Sequence, residues 1–331
     1  MIDIKKLCED KESIALGTHI RPDGDAFGSS LGLYNYLKRE YPSKKIDLFM
    51  VDPNPLFAFL PGYDEIKTEP VKDVYDLFIA LDMGDKERLG KDKLMLENAK
   101  DTACIDHHLG YKGIASEANS YVVENASSTA ELVFDVIGRD AVDDDIALCI
   151  YTGIICDTGV YQYSNTSQKT METSGYLMTF GFDHSKVVSE AFYEKTYRQT
   201  LLLGRALLES ILLMDGRVIV SVITQKTLRF YNATSKDLEG IVSQMKNTKG
   251  VDVALFMHET VTGEYKVSLR SNENINVEVV ARKLGGGGHE RAAGLTMSGS
   301  YYDVINNVTA EIEKQYEEKE AEEGSATGEG E

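Results

Sequence analysis

The chain has 331 residues and a formal net charge of −19, with 42% hydrophobic and 27% charged residues. A chain of this length usually exceeds one hydrophobic core, so two domains are expected. The negative charge argues against binding of long nucleic acids, which bind chiefly through neutralisation of their phosphates. No apolar run approaches the roughly 18 residues of a membrane-spanning helix, and residues 1–10 lack a signal-peptide core, so a cytoplasmic protein without membrane contact is predicted.

The first half of the chain alternates strand-like with helix-like segments. The apolar runs typical of buried strands are SIALGTH (13–19), KIDLFMV (45–51), DLFIALDM (76–83) and DTACIDHH (101–108). Between the first two, GDAFGSSLGLYNYLKRE (24–40) has helical spacing. This alternation predicts an α/β fold with a parallel sheet, whose ligand sites lie beyond the carboxyl ends of the strands.

Two more helices are predicted after these strands. STAELVFDVIG (128–138) begins with Ser128, and Glu131 three residues later gives a capping-box pattern. DDDIALCIYTGIICDTG (143–159) predicts a helix that ends near Asp157. A mostly helical stretch follows, and 186–205 is the expected connector.

The second half restarts the strand pattern. Its strand candidates are RVIVSVIT (217–224), VDVALFM (251–257) and EYKVSLRS (264–271), followed by a helix that ends in ARKL (281–284) and by GGGGHERAAG (285–294). The predicted organisation is therefore an N-terminal α/β domain (1–185), the connector, a smaller α/β domain (206–312) and an acidic tail (313–331) that is expected to be disordered.

Polar clusters follow several of the predicted elements. They are His19, Asp23 and Asp25 in THIRPDGDAFG, Asp82 in LDMGD, Asp106, His107 and His108 in CIDHHLG, and Asp157 in CDTG. Each aspartate alone is more often a turn or cap residue, and adjacent histidines can be a structural pair. Together, the four aspartates other than Asp106 would carry about four negative charges in one region, which require neutralisation.

Two divalent cations would supply that charge. Carboxylates with some imidazole suit Mn²⁺, and Mg²⁺ is the alternative. A pair of ions about 3.5–4 Å apart clamps the attacking and leaving oxygens of an in-line phosphoryl displacement. The clusters therefore point to hydrolysis of a phosphoester.

These motifs resemble a known family. HIRPDGD, LDMGD, IDHH and CDTG, in this order, resemble the four motifs of the DHH phosphoesterase superfamily. GGGGHERAAG resembles the substrate-binding signature of its accessory C-terminal domain, so the resemblance covers roughly residues 13–295. Within the superfamily, the length is most similar to that of stand-alone bifunctional oligoribonucleases and pAp phosphatases, often called nanoRNases.

The resemblance implies a role for each clustered residue. One metal would be held by His19, Asp23 and Asp82, and the second by Asp25, Asp82, His107 and Asp157, with Asp82 bridging. His108 would face the substrate phosphate, as a hydrogen-bond donor or a general acid, and Asp106 would orient an imidazole.

The resemblance also implies a substrate-binding region in the C-terminal domain. Its expected residues are Arg270, Gly286, Gly287, Gly288, His289 and Arg291. A glycine run alone is compatible with a flexible turn, although its N–H groups also approach an anion closely. A clamp on the terminal phosphate or nucleotide favours substrates a few nucleotides long.

The function implied is metal-dependent hydrolysis of very short RNA to 5′-mononucleotides and of 3′-phosphoadenosine 5′-phosphate (pAp) to AMP. The same motifs would serve a phosphodiesterase of cyclic dinucleotides or of their linear pNpN products. A non-catalytic nucleotide-sensing module is the alternative from another class. The expected partners are short RNA and small nucleotides, and the resemblance is compatible with a homodimer.

Overall fold

The computed structural model describes residues 1–71, 74–108, 110, 113–272 and 274–327, with the backbone alone for 92 and 322–327. The chain forms two compact units, Met1–Glu194 and Lys195–Glu331. The boundary falls within the segment 186–205, where the connector is predicted. Each unit has its own sheet and its own hydrophobic core.

The first unit contains a five-stranded parallel sheet. Its strands are β1 (Ser13–Gly17), β2 (Lys45–Phe49), β3 (Leu77–Leu81), β4 (Asp101–Asp106) and β5 (Ser120–Val122). They lie in the order β2-β1-β3-β4-β5, and every neighbouring pair is parallel. The first four coincide with the apolar runs, which confirms the predicted parallel sheet. The short, half-buried β5 has no such signal in the sequence.

The strand order determines where a ligand can bind. β1 lies between β2 and β3, so the chain continues from β1 to one side of the sheet and returns through β3 on the other. A crevice opens at such a point, beyond the carboxyl ends of the strands. The polar segments that follow β1 and β3, 18–25 and 82–85, therefore meet at one edge of the sheet.

The helices of the first unit bring the chain back to this edge. They are α1 (Ile4–Glu9), α2 (Gly24–Glu40), α3 (Lys93–Asn98), α4 (Thr129–Ile137), α5 (Asp144–Asp157), α6 (Gln168–Leu177) and α7 (His184–Val188). Short 3₁₀ turns span Pro55–Phe57, Tyr63–Glu65, Lys86–Asp92, Glu117–Asn119 and Arg139–Ala141, and a π turn spans Ser189–Tyr193. A Cβ at Gly28 of α2 would lie 2.5 Å from the backbone nitrogen of Gly153 in α5. The missing side chain permits close packing of α2 on α5, which places Asp25 near Asp157.

Helix α4 begins at its predicted cap but without the full capping box. The Ser128 side chain accepts a hydrogen bond from the backbone N–H of Glu131 at 3.1 Å. The reciprocal bond is absent, because the buried Glu131 carboxylate accepts from Ser127 Oγ at 2.5 Å and from Thr170 Oγ1 at 2.8 Å. Glu131 also lies 3.2 Å from the Lys169 ammonium. Its side chain therefore points towards α6 and connects two helices instead of closing a cap.

The second unit contains a six-stranded mixed sheet. Its strands are β6 (Ile211–Leu213), β7 (Val218–Ile223), β8 (Val253–Glu259), β9 (Tyr265–Ser271), β10 (Gly287–His289) and β11 (Ala292–Met297). They lie in the order β10-β11-β9-β8-β7-β6, with β7 and β8 parallel and the other neighbours antiparallel. Its helices are α8 (Tyr197–Leu208), α9 (Gln225–Phe230), α10 (Ile241–Lys246), α11 (Val277–Lys283) and α12 (Tyr301–Thr327), with a 3₁₀ turn at Ser235–Leu238. The predicted second α/β domain is confirmed.

The acidic tail differs from the prediction. α12 continues to Thr327, so 313–327 is helical where the composition predicts disorder. The beginning of this segment is held in the helix by Tyr316. The Tyr316 side chain is buried, and its hydroxyl donates to Asp252 Oδ2 at 2.9 Å. Residues 328–331 lie outside the described part of the chain. Helix α12 is long but too highly charged to span a bilayer. No other helix among the described residues is both long enough and apolar enough to do so.

Candidate active site

His19 follows β1, and its Nε2 faces a group of carboxylates. Its Nδ1 lies 2.9 Å from the backbone carbonyl of Ile20. Because a carbonyl oxygen only accepts, Nδ1 carries the proton and Nε2 keeps a lone pair. That Nε2 is buried and has no hydrogen-bond partner among the described residues; it lies 3.6 Å from Asp82 Oδ2 and 3.9 Å from Asp23 Oδ2. A cation between these groups would account for the buried, unpaired nitrogen.

Asp82, directly after β3, faces two imidazoles with its two oxygens. Its φ of +53° is in the left-handed region, which is uncommon for residues other than glycine. Oδ1 accepts from Thr129 Oγ1 at 3.1 Å and lies 3.6 Å from His107 Nε2. Oδ2 faces His19 Nε2. This is the arrangement of a carboxylate that can bridge two cations.

A second group of ligands surrounds His107. Its Nε2 lies 3.9 Å from Asp25 Oδ2 and 3.6 Å from Asp157 Oδ2. The Asp25 carboxylate accepts from the backbone N–H groups of Thr129 at 2.6 Å and Ala130 at 2.9 Å. These are the first residues of α4, and the partial positive charge of a helix N-terminus stabilises a carboxylate there.

The ligand atoms fit divalent cations. In each of three groups, one possible ligand atom from every residue lies within 4.8 Å of the others. The groups are His19, Asp23 and Asp82; Asp25, His107 and Asp157; and Asp82, His107 and His108. The nitrogen–oxygen separations of 3.6–3.9 Å at His19 and His107 are too long for hydrogen bonds. Two ligands at about 2.1 Å from one ion lie about 3–4 Å apart. The first two groups could therefore each hold an ion, with Asp82 between them.

The carboxylates are not balanced by the protein's own charges. Burial and the charges of Asp82 and Asp157 raise the pKa of Asp25 well above its ordinary value. Burial, with the charges of Asp82 and Asp23, raises the pKa of Asp157 to about 7. The pKa of Asp82 is lowered against the effect of its burial, because His19 interacts with its carboxylate. Added positive charge would return Asp25 and Asp157 to the ionised form.

Asp106, at the end of β4, is fully buried and orients His108. Its Oδ2 accepts from the backbone N–H groups of Met83 at 3.2 Å and Gly84, and its Oδ1 accepts from His108 N at 3.0 Å and His108 Nδ1 at 2.8 Å. Burial alone would lower the pKa of His108. The bond to Asp106 outweighs this effect, so the pKa of His108 lies above its ordinary value. The other ring nitrogen, Nε2, lies 3.3 Å from Arg88 Nη1. Asp106 thus joins the loops after β3 and β4.

Three residues of this site were not singled out by the sequence patterns. Thr129 reaches Asp25 and Asp82, and Asn165 Nδ2 donates to the backbone carbonyl of Asp157 at 3.1 Å. Arg88 lies six residues after Asp82. Its position shortly after the end of β3 was the one feature of the sequence that could have placed it near the site. Asn165 stands in a turn that no motif marks, and only the fold brings it here.

The glycine-rich run forms a hairpin in the second unit. In β10, His289 pairs with Ala292 of β11, and Ala292 also pairs with Arg270 of β9. Directly paired residues share one face of a sheet, so His289 and Arg270 project from the same face. Glycine is required at Gly288, where a Cβ would lie 2.4 Å from the carbonyl oxygen of Ala292. Gly287 is exposed between Gly288 and Gly286.

Both ends of this hairpin are held close to the rest of the unit. Arg291 Nη1 donates to the backbone carbonyls of Asn272 at 2.6 Å and Ile275 at 3.2 Å. At the other end, a Cβ at Gly286 would lie 2.2 Å from the carbonyl oxygen of Gly294. Arg291 therefore anchors the hairpin to the loop before α11.

The fold and this site define a two-domain α/β protein with a carboxylate–histidine cluster suited to divalent cations. The DHH family, N-terminal domain, matches residues 13–154, and the DHHA1 domain matches residues 215–318. The two domain models thus match this chain in the order that the sequence motifs predict, with DHH first and DHHA1 after it.

Similar proteins cover nearly the whole chain. The bifunctional oligoribonuclease and PAP phosphatase NrnA of Bacillus subtilis (strain 168) is 28% identical over 315 residues, 93% of this chain and 96% of that protein. The protein of the same name from Thermus thermophilus is 28% identical over 310 residues, 90% of each chain. An exopolyphosphatase-related protein from Bacteroides fragilis, known from its crystal structure, has a TM-score of 0.86 at 25% identity and 94% coverage of both chains.

Proposed function

We propose that this protein is a metal-dependent phosphoesterase that hydrolyses very short oligoribonucleotides to 5′-mononucleotides and pAp to AMP. The observation that carries the proposal is the pair of ligand groups that flank Asp82. The names of the relatives from B. subtilis and T. thermophilus, which align over 90% or more of this chain, support the substrate class. The charge of −19 agrees with short rather than long nucleic acids.

The two ligand groups would hold two divalent cations. His19, Asp23 and Asp82 would bind one, and Asp25, Asp82, His107 and Asp157 the other. This set of carboxylates and imidazoles suits Mn²⁺, with Mg²⁺ as the alternative. Such ions, when bound, polarise a phosphoryl oxygen and lower the pKa of a bound water. Calorimetry is expected to give two equivalents of Mn²⁺ per chain, and one or none for Asp25→Asn; an unchanged stoichiometry in that variant contradicts the assignment.

His108 and Asp106 would act on the substrate side. Asp106 accepts from Nδ1 of His108, so that the opposite nitrogen, Nε2, faces away from β4. From there His108 would hydrogen-bond a phosphate oxygen or give its proton to the leaving oxygen. Because Thr129 and Ala130 hold Asp25 in place without substrate, the site is preorganised.

The second unit would contribute to substrate binding. Arg270, His289 and the backbone of the glycine hairpin offer donors to a terminal phosphate. The first unit would then be the catalytic domain and the second the substrate-binding domain. No disulfide joins the four cysteines, all of which lie in the described part of the chain, and this agrees with a cytoplasmic location. The homodimer stays a prediction.

A competition assay tests the proposed activity. The Mn²⁺-loaded protein is given pAp, a 5′-phosphorylated RNA dinucleotide, a longer RNA, a cyclic dinucleotide and polyphosphate at equal concentrations, and the products are separated by chromatography. We expect pAp and the dinucleotide to be consumed fastest. Faster consumption of the cyclic dinucleotide or of polyphosphate would identify a different phosphoesterase. No turnover of any of the five would leave a nucleotide-binding module.

A further inference from the structure

Arg88 stands at the edge of the carboxylate–histidine cluster. It lies in the 3₁₀ segment Lys86–Asp92, half-buried, and its backbone carbonyl accepts from the N–H of Ile20 at 2.7 Å. Its side chain is therefore carried on backbone that is tied to the loop after β1. Nη1 lies 3.3 Å from His108 Nε2 and 3.4 Å from the carbonyl oxygen of Met83.

The Arg88 guanidinium has few hydrogen-bond partners among the described residues. Within the described part of the chain, Arg88 forms no ion pair with a carboxylate, and Nη1 is the only side-chain nitrogen that donates. Both of its hydrogen bonds are long, at 3.3 and 3.4 Å, for a charged donor. A guanidinium has five N–H groups in a planar fork that matches a phosphate, and the described residues use few of them.

His108 sets the direction in which an anion would approach. Because Asp106 accepts from Nδ1, only Nε2 of His108 is directed to a ligand. Arg88 Nη1 is already within hydrogen-bond distance of that Nε2. An oxygen bound to His108 Nε2 would therefore lie within reach of the Arg88 fork.

We propose that Arg88 binds a non-bridging oxygen of the scissile phosphate together with His108, and that its guanidinium leaves His108 Nε2 when the phosphate enters. This inference rests on the proposed phosphoesterase function. It assigns Arg88 a contact with the reacting group and supplies a positive charge where the cluster is otherwise acidic.

The test compares Arg88→Gln, Arg88→Lys and the control Lys86→Gln, an exposed lysine of the same 3₁₀ segment. With pAp we expect kcat/KM of Arg88→Gln to fall about 10²-fold and that of Arg88→Lys by less, while Lys86→Gln keeps the wild-type value. Inorganic phosphate, titrated into the Mg²⁺-loaded protein, is expected to bind about tenfold more weakly to Arg88→Gln. A purely structural arginine would leave phosphate affinity unchanged and lower the thermal midpoint.

Each outcome decides between the two roles. An Arg88→Gln protein within threefold of wild type in kcat/KM and in phosphate affinity overturns the inference. If Arg88→Gln does not fold, Arg88→Lys decides, because it keeps the charge but loses the fork; wild-type kcat/KM and phosphate affinity in that variant overturn it. If wild-type protein hydrolyses no phosphoester, the proposed function fails separately, and the phosphate titration alone decides on Arg88.

Discussion

The two candidate sites of this molecule are held in opposite ways. In the first unit, the buried Asp25 is bonded by Thr129, 104 residues later in the chain, and Asp106 joins two loops with four hydrogen bonds. In the second unit, the glycine hairpin is one contiguous run, and Gly287–His289 is exposed. Residues far apart in the chain build the first site, whereas the glycine hairpin of the second comes from one short stretch, to which strand pairing adds Arg270.

This difference predicts different effects of mutation. Side chains fixed before substrate arrives contribute mainly to the transition state, so their loss lowers kcat. When such residues are also buried, their loss reduces the free energy of unfolding as well. Exposed residues of a binding loop should change KM and leave stability unaltered.

The largest effect is expected from Asp82→Asn. Asparagine tolerates the left-handed backbone at this position, so the fold should persist, whereas alanine would add strain. Loss of a carboxylate that is proposed to bridge two ions should lower kcat about 10³-fold. Asp64→Asn, at an exposed carboxylate of the same unit, serves as the control for kcat and circular dichroism. If Asp82→Asn keeps a tenth of the wild-type kcat, Asp82 does not bridge two ions.

Asp106→Asn should lower both activity and stability. The amide has one acceptor oxygen, so it cannot accept from the loop after β3 and from His108 Nδ1 at once. We expect kcat to fall about 10²-fold and the free energy of unfolding to fall by about 1–3 kcal/mol. Urea unfolding and steady-state kinetics measure the two effects. A variant with normal stability and low kcat would mean that the joining of the two loops is not important for the fold.

His289→Ala should weaken substrate binding without destabilising the second unit. The residue is exposed in β10, so its removal should leave the thermal midpoint unchanged. One lost charge-assisted or neutral hydrogen bond to substrate should raise KM about tenfold with kcat nearly constant. The control is His184→Ala, an exposed histidine in the first unit. A loss confined to kcat would place His289 in the chemical step instead of in binding.

The smallest effect is expected from removal of 318–331. Among the side chains of α12 that the structure describes, up to residue 321, the last buried one is Tyr316, so a chain ending at Glu317 should keep its stability and kcat. A chain ending at Ile312 also loses the bond from Tyr316 to Asp252 and should lose about 2–4 kcal/mol of stability. Thermal unfolding of the two truncated proteins compares them directly. Equal stabilities would show that the buried tyrosine does not anchor the tail.

The sequence predicted the parts of the molecule that follow from local pattern. Buried strands are continuous apolar runs, and β1 to β4 were recognisable for that reason. Their polar ends had to meet because parallel strands place their carboxyl ends at one edge. The closeness of His19 to Asp82 was therefore within reach of a sequence argument.

The remaining features depend on contacts between distant segments. Asn165 reaches Asp157 from a turn without a motif, and Glu131 leaves its capping position for α6 because it is buried there. The three-residue strands β5, β6 and β10 are too short to produce an alternating pattern. The helical tail depends on the burial of Tyr316, which a composition count cannot detect.

The crowding of Asp23, Asp25, Asp82 and Asp157 also bears on the lifetime of the protein in the cell. Without cations, these carboxylates must either repel one another or take up protons, and both cost free energy in the folded state. An ion that binds only the folded state therefore stabilises it. At 100 times its dissociation constant, one such ion adds about 2.7 kcal/mol, which lowers the unfolded fraction about 100-fold. Proteases act on that fraction. Where the supply of divalent metal falls, the protein should be degraded faster, so its abundance would follow the availability of its own cofactor.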